Sequence, residues 1–449
     1  MVLFVPLHHH YLSHIIIMIA EFTIENFFSI KKPQTISFEP TSDTFMSDEY
    51  SCEVKDGVRL LKIGIIYGAN ASGKSNILNA IDFFKTLVLR MPQDRNEKTG
   101  VVPFLLNETS RNETTKMSMA FYVNQTKFVL SFELDEERIC AETLIAYDSN
   151  RPTRLYIRSY DKGTDATTIA FGANLKLTKK SQDAILGNTI NNCSVLAAFG
   201  KSNVERTKLN EVYDYFAKHV KDVLAPRMLL SGFVKRHLDR DEHGELKDFL
   251  LSFLKASDFN IKDIVLHEEE EALTPELEQL IRNFPIDDKA KEEMIRKGKI
   301  TNMELMFAHN AGEKLYTLPE ENESSGTIRM LGIAVILNLL LKKKQFVPID
   351  EVETSIHYEL LSYFIKVFLA NSNQTSQLLL TTHDINLLNE DFIRRDTIWF
   401  TDKDELGETK LVRLSSLGLN KNLSPYNAYR QGKLVKLPFL GSQYLNLND

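Results

Sequence analysis

The chain has 449 residues, of which 26% are charged and 43% are hydrophobic. This balance excludes an intrinsically disordered chain and favours a folded protein of two or three lobes. The formal net charge of −7 gives no overall positive field, so any contact with nucleic acid would need a local basic patch. Three widely spaced cysteines, Cys52, Cys140 and Cys193, form no CxxC pair, which argues against a zinc knuckle and favours a reducing, cytoplasmic location.

The N-terminal segment is apolar but does not resemble a targeting sequence. It lacks a basic region, and its unbroken aliphatic run, Ile15 to Ala20, is too short to span a bilayer. We predict no signal peptide and no membrane contact, and we interpret residues 1–17 as a non-native or disordered extension, with the functional protein beginning near Met18. The histidines of this segment are interpreted as a tail, not a metal site: His8, His9, His10 and His14.

The hydrophobic pattern then divides the chain into three parts. Residues 18–180 predict a first lobe, with short strands up to residue 67, a loop and helix at 68–90, and an antiparallel meander that alternates between Met117 and Leu134. Residues 181–298 predict a mostly helical insertion, in which the acidic run Glu268 to Glu271 is interpreted as a solvated helix start. Residues 299–449 return to alternating strands and helices and predict a second lobe that completes an α/β core.

The first motif joins a strand to a helix. GANASGKS, Gly68 to Ser75, fits G-x-x-x-x-G-K-[ST], with an apolar strand before it and an apolar helical stripe after it. Backbone N–H groups of such a loop wrap a phosphate chain, and the helix N-terminus adds partial positive charge. Lys74 is predicted to reach the β and γ phosphates, and Ser75 to hold Mg²⁺ through its hydroxyl. The predicted nucleotide-binding residues are Gly68, Asn70, Ala71, Ser72, Gly73, Lys74, Ser75 and Asn76.

The second motif is a pair of acids after a short apolar strand. Residues 345–349, QFVPI, predict that strand, and Asp350 and Glu351 follow it. We interpret Asp350 as a carboxylate near the metal and Glu351 as the base for the attacking water. Pro348 departs from the expected pattern, because proline cannot donate to a sheet ladder and is awkward in a central strand.

Two further motifs place polar residues where a strand ends or a helix begins. Residues 378–382, LLLTT, predict a strand that delivers His383 to the edge where open α/β sheets bind ligands, so His383 is expected to contact the γ-phosphate or the water. Ser325 and Gly326 stand at the start of a strongly apolar helix, where free N–H groups and a hydroxyl can bind an anion. A plain serine N-cap is the alternative interpretation there.

Along the chain, the motifs stand in the order P-loop, Ser-Gly helix start, Asp-Glu pair and histidine. In this order they resemble those of ABC-type ATPases of the RecF, SMC and OLD branch. They are more similar to compact bacterial AAA-type ATPases associated with abortive infection and phage defence. The resemblance covers roughly residues 18–110 and 300–440, and it includes MIAEFTIENFFSI, GANASGKS, SSGTIR as the signature, IDEVETSIH, TTHD and the closing PYNAYRQGKLVKLP. It implies an α/β P-loop NTPase fold with an ABC-type head, an antiparallel β subdomain and a mostly helical insertion.

The resemblance also implies an activity and partners. The expected activity is ATP hydrolysis with ATP and Mg²⁺ as cofactors, and Lys74, Glu351 and His383 as catalytic residues. Ser325 and Gly326 would contact the γ-phosphate bound to a second subunit of a homodimer or larger homo-oligomer, with Thr354 and Ser355 at the same interface. Association of the heads would regulate a separate effector protein, such as a nuclease, in bacterial antiviral defence.

Several features depart from the family pattern. No glutamine fits the Q-loop, for which Asn107 is a weak candidate, and the signature lacks the second glycine of LSGGQ. The insertion is too short for an SMC coiled coil, and the segment after His383 is too short for the nuclease domain of OLD proteins. A GTPase is disfavoured, because no NKxD-like motif is present and residues 420–423 have the wrong order.

The alternative function is an ATP-gated nucleic-acid-binding scaffold or clamp with slow hydrolysis. Its basic patch would come from lysines that are also readily explained as solubilising features at helix ends: Lys176, Lys179, Lys180 and Lys201, or Lys342 to Lys344.

Overall fold

The computed structural model describes residues 16–149, 151–283, 288–371, 375–418 and 423–435. The predicted N-terminal extension lies outside these residues except for its last two, and Ile17 already begins the first strand. The chain forms two compact units. Unit 1 contains the described residues up to 226, residues 340–353 and the described residues from 367 onward, and unit 2 contains residues 227–339 and 354–366. These limits differ from the predicted insertion at 181–298, because residues 181–226 belong to unit 1.

The strands are numbered in chain order. They are β1 (Ile17–Glu25), β2 (Gln34–Ser37), β3 (Ser51–Lys55), β4 (Val58–Leu61), β5 (Ile63–Tyr67), β6 (Thr115–Val123), β7 (Thr126–Leu134), β8 (Ile139–Tyr147), β9 (Thr153–Asp161), β10 (Ala166–Phe171), β11 (Ile261–Ala272), β12 (Lys299–Ala311), β13 (Lys314–Pro319), β14 (Phe346–Ile349), β15 (Gln377–Thr382), β16 (Ile398–Lys403) and β17 (Thr409–Arg413).

The α-helices follow the same convention. They are α1 (Ser47–Tyr50), α2 (Lys74–Leu89), α3 (Glu108–Arg111), α4 (Lys179–Asn188), α5 (Val195–Gly200), α6 (Lys208–Asp214), α7 (Ser231–Leu238), α8 (Glu245–Ala256), α9 (Pro275–Asn283), α10 (Asp288–Lys297), α11 (Ser325–Lys342), α12 (Tyr358–Asn371) and α13 (Pro425–Arg430).

Unit 1 contains a seven-stranded antiparallel sheet in the order β10-β9-β8-β7-β6-β1-β2. The predicted meander is confirmed as β6, β7 and β8. The buried face of this sheet packs on α2, where the Phe84 ring lies 5.5 Å from the ring of Phe22 and 5.1 Å from the ring of Phe132, both edge-on. Burial of these large aromatic rings fixes α2 against the sheet.

The second sheet of unit 1 has five strands in the order β14-β15-β5-β16-β17. The first four run parallel and β17 runs antiparallel, which confirms the predicted α/β core. Gln377 joins the two sheets: its amide donates to the carbonyls of Ile19 and Leu61 at 2.9 and 3.0 Å and accepts from the Ile19 N–H at 2.6 Å. Because the four strands run parallel, their carboxyl ends lie at the same edge of this sheet.

Pro348 fits the sheet because β14 is its outer strand. Pro348 stands opposite Leu379 of β15, and its carbonyl turns the other way, where it accepts from Leu224 N–H at 3.0 Å. In a parallel strand the N–H of a residue lies on the same side as its carbonyl, so the missing donor is not needed by β15.

Unit 2 contains a three-stranded antiparallel sheet in the order β11-β12-β13. The helix predicted to start at Glu268 to Glu271 is wrong, because these residues lie in β11 and pair with residues 300–303 of β12. Strand pairing between these two exposed strand segments overrides the weak strand preference of glutamate. Helix α11 is apolar and long enough to cross a membrane, but 67% of it is buried within the protein, as in a core helix.

Candidate functional site

The loop between β5 and α2 has a backbone that only small residues can form. Ala71 and Gly73 both have positive φ, at 63° and 101°. A Cβ atom on Gly68 would lie 2.3 Å from Thr401 Oγ1, and one on Gly73 would lie 2.2 Å from Thr409 Oγ1. Both glycines are therefore required by close approach, and Gly73 also by its conformation.

Lys74 begins α2, and its side chain folds back over the loop. Its ammonium group donates to the carbonyls of Gly68 and Ala69 at 2.9 and 3.2 Å, and the residue is only 5% exposed. Burial lowers the pKa of Lys74, and the charges of Glu351, Glu353 and Asp350 oppose that shift. The lysine is thus a buried cation in the field of nearby carboxylates, at the N-terminus of a helix whose first N–H groups lack intrahelical acceptors.

Hydroxyl groups from two other strands and from a turn stabilise the loop. Ser72 Oγ lies 2.7 Å from Thr401 Oγ1, and Thr409 Oγ1 donates to the Ser72 carbonyl at 2.9 Å. Ser29 Oγ lies 2.7 Å from Thr409 Oγ1 and accepts from the Asn76 amide at 2.6 Å. The predicted binding residues Ser72 and Asn76 thus use their side chains, in this structure, to hold the loop.

The two acids after β14 are held by one hydroxyl on the neighbouring strand. Thr381 Oγ1 accepts from the Glu351 N–H at 2.8 Å and donates to Asp350 Oδ1. Asp350 is 8% exposed and Glu351 is half-buried. Glu351 has a φ of 42°, an uncommon conformation for a residue with a side chain that is found at functional sites when its surroundings enforce it.

His383 follows β15 directly and is held by Glu353. Glu353 Oε1 accepts from the His383 backbone N–H at 2.7 Å and lies 2.7 Å from its ring Nδ1. Registers between β15 and its neighbours pair Leu380 with Ile349 on one side and Thr382 with Tyr67 on the other. The strands that carry Asp350, His383 and the Gly68 loop therefore end at the same edge.

The Ser-Gly helix start lies in unit 2. The N-cap role belongs to Ser324, whose Oγ accepts from the Thr327 N–H at 3.0 Å, whereas Ser325 is the exposed first residue of α11. A Cβ on Gly326 would lie 2.7 Å from the Ser355 carbonyl, so Gly326 permits close packing against the segment after Glu353. Asn107 is accounted for locally, because its side chain caps α3 by accepting from Ser110 N–H.

Sequence reasoning missed the residues that support the predicted ones. Glu353, Thr381 and Ser29 lie within quoted motifs, so their positions gave a signal. Thr401 and Thr409 are hydroxyl residues far from the loop in sequence and gave none. Within the described residues, no group of three or more histidine, cysteine, aspartate or glutamate side chains forms a separate metal site.

A glycine-lysine-serine loop between a buried parallel strand and a helix, with an Asp-Glu pair and a histidine at the same sheet edge, defines a P-loop NTPase. The chain belongs, by residues 64–389, to the family described as AAA domain, putative AbiEii toxin, Type IV TA system. The predicted membership of the AAA-type ATPases and the predicted α/β P-loop fold are confirmed.

Solved structures with similar chains include those of SMC and RecF proteins. The SMC head domain from Thermotoga maritima is 14% identical, with 88% of this chain and 98% of that chain covered and a TM-score of 0.38. An Smc head bound to the C-winged helix domain of ScpA is 15% identical, with 91% and 99% covered and a TM-score of 0.43. The recombination mediator protein RecF with ATP is 14% identical, with 90% and 100% covered and a TM-score of 0.37. No curated protein sequence matches the chain significantly.

Proposed function

We propose that this protein binds ATP and Mg²⁺ in the Gly68–Ser75 loop and hydrolyses ATP. The observation that carries the proposal is the convergence of the loop, the Asp350–Glu351 pair and His383 at one edge of the five-stranded sheet. Open α/β sheets bind ligands at this edge, and the residue types match the chemistry of phosphoryl transfer.

The residues present fit both cofactors. The N–H groups at the start of α2, which no side chain caps, and the Lys74 ammonium suit a polyphosphate. The hydroxyl of Ser75 and the carboxylate of Asp350 are the oxygen ligands that Mg²⁺ prefers. When bound, the ion supplies charge neutralisation at the β and γ phosphates.

Each catalytic residue has a distinct role in this proposal. Glu351 accepts the proton of the attacking water, with its backbone fixed by Thr381. Lys74 stabilises negative charge on the transferred phosphoryl group, and His383 contacts the γ-phosphate or the water.

We further propose that ATP drives association of two copies and that this association controls a separate effector in antiviral defence. The support is the exposed Ser325 beside Gly326 and Ser355, which fits contact with the γ-phosphate bound to another subunit, and the family description, which refers to a toxin of a toxin–antitoxin system.

The test is the solution mass with and without ATP and Mg²⁺, measured together with hydrolysis. We expect ATP to raise the mass, Glu351→Gln to hold the larger species and hydrolyse little, and Lys74→Ala to lose nucleotide binding. A mass that never changes would refute ATP-driven association, and wild-type hydrolysis by Glu351→Gln would refute the assignment of the base.

The second candidate is the nucleic-acid scaffold, which a cluster of lysines in unit 1 favours. Burial lowers the pKa of Lys221, the nearby charges of Lys85 and Lys343 lower it further, and Asp222, which pairs with Lys85, opposes this shift. Like charges held together suit a polyanion. This candidate would be supported if duplex DNA binding weakens steeply with salt and falls in a Lys221→Gln/Lys343→Gln variant. Binding that responds neither to salt nor to these substitutions would show that the cluster is not the DNA-binding site.

A further inference from the structure

His383 is fixed by a carboxylate to which the sequence motifs assign no role. The Glu353 side chain is 9% exposed, whereas the His383 side chain is 52% exposed. Glu353 Oε1 lies 2.7 Å from both the backbone nitrogen and the ring Nδ1 of His383. The carboxylate is therefore the fixed partner of an accessible imidazole.

This contact determines which ring nitrogen carries a proton. An ionised carboxylate oxygen only accepts hydrogen bonds, so Nδ1 of His383 must donate to Glu353. In the neutral ring, Nε2 is then an acceptor, and in the charged ring it is a donor. Within the residues that the structure describes, Nε2 forms no hydrogen bond, which leaves it available to a ligand.

Burial of the Glu353 carboxylate carries a free-energy cost. Its second oxygen, Oε2, is buried without a hydrogen-bond partner among the described residues. A buried oxygen of this kind is unfavourable and calls for an explanation. The contacts of Glu353 with His383 at the end of β15 place the carboxylate in the candidate site, and its charge opposes the lowering of the Lys74 pKa.

We propose that Glu353 is the positioning residue of His383. It fixes the ring orientation and the Nδ1–H tautomer, so that Nε2 is the nitrogen presented to the terminal phosphate or the attacking water. The catalytic consequence rests on the proposed ATPase function, whereas the tautomer does not. For histidines that bind a metal, loss of such a partner typically costs about 10- to 100-fold in metal affinity or activity, and we expect a change of similar size here.

The tautomer is tested by long-range ¹H–¹⁵N correlation spectra of protein with ¹⁵N-labelled histidine, with His383→Gln to assign the signals. We expect an Nδ1-protonated ring in the wild-type protein and loss of that pattern in Glu353→Ala. Glu353→Gln, which keeps an acceptor oxygen, should retain it in part, and Glu49→Gln, the same change at an exposed carboxylate, should leave it unchanged. An Nε2-protonated ring in the wild type, or an identical spectrum in Glu353→Ala, would overturn the proposal.

Kinetics test whether Glu353 acts through His383. Glu353→Ala should lower kcat about 10- to 100-fold with little change in the Kd for ATP, and it should cause no further loss in a His383→Ala background. An equal loss in both backgrounds would indicate a merely structural role and would overturn the proposal. If the wild type hydrolyses no ATP, the proposed function fails, and the spectra alone decide on Glu353.

Discussion

Replacing Thr381 with valine removes the hydroxyl that holds both acids of the candidate site. Valine has nearly the same shape, so no cavity forms, but Glu351 N–H loses its acceptor at 2.8 Å and Asp350 loses a donor. A hydrogen bond between neutral groups contributes about 0.5–1.5 kcal/mol and one to a charged group about 1.5–3 kcal/mol. Since Asp350 is 8% exposed, water replaces little of this, and the expected loss is about 2–4 kcal/mol.

If this loss appears fully in the transition state, kcat falls by roughly 30- to 1,000-fold, because about 1.4 kcal/mol corresponds to a factor of ten. The assay is steady-state ATP hydrolysis, with the urea midpoint of unfolding as a second measurement. Thr381→Ser keeps the hydroxyl, so its hydrolysis should stay near wild type. Thr382→Val is the second control, because it removes a neighbouring hydroxyl that contacts neither acid. A folded Thr381→Val protein with wild-type hydrolysis and stability, or a Thr381→Ser protein as impaired as the valine variant, would refute the reasoning.

Three further predictions follow from the same structure. Gly73→Ala places a Cβ atom at a φ of 101° and 2.2 Å from Thr409 Oγ1, so this variant should lose nucleotide binding. In the control, Gly187→Ala, the added Cβ meets no atom within 4 Å, so this variant should bind ATP normally. Titration with a fluorescent nucleotide compares the two variants. Thr409→Val removes the hydroxyl that donates to the Ser72 carbonyl and should weaken ATP binding in the same titration without abolishing it. Asp396→Asn breaks a buried pair with Arg394 and should cost about 3 kcal/mol or more at pH 7. Burial raises the pKa of Asp396, but the hydrogen bonds from Arg394 and Thr41, together with the charge of Arg394, outweigh this and hold the pKa below its ordinary value. The stabilisation is therefore present above the unfolded pKa of about 4 and lost as the pH falls through the folded pKa, so the urea midpoints of wild type and variant should converge in acid.

The parts of the site that could be predicted are those specified by local sequence. Gly68 to Ser75 carries its own conformational requirements, so the strand, loop and helix follow from residue types at fixed spacing. Asp350 and His383 each end a buried apolar strand, and parallel strands bring their carboxyl ends to one edge, so proximity followed from the fold class.

The supporting residues could not be predicted, because their partners are distant in sequence. Thr409 is 337 residues from Ser72, and Thr401 is 329 residues from it, yet both contact that residue. Serine and threonine are common and have many uses, so nothing in the sequence distinguishes a hydroxyl that braces the loop from one that faces solvent.

The acidic run in unit 2 is a case in which local sequence predicted the wrong secondary structure. Four successive glutamates favour a solvated helix by composition, but Glu268 to Glu271 continue a strand that Ile261 and Ile264 anchor in the core. Once β11 is paired with β12, each further residue gains ladder hydrogen bonds, and Lys299 forms an ion pair with Glu270. The outcome was decided by residues about 30 positions away, whose pairing is a property of the folded unit and not of the run itself.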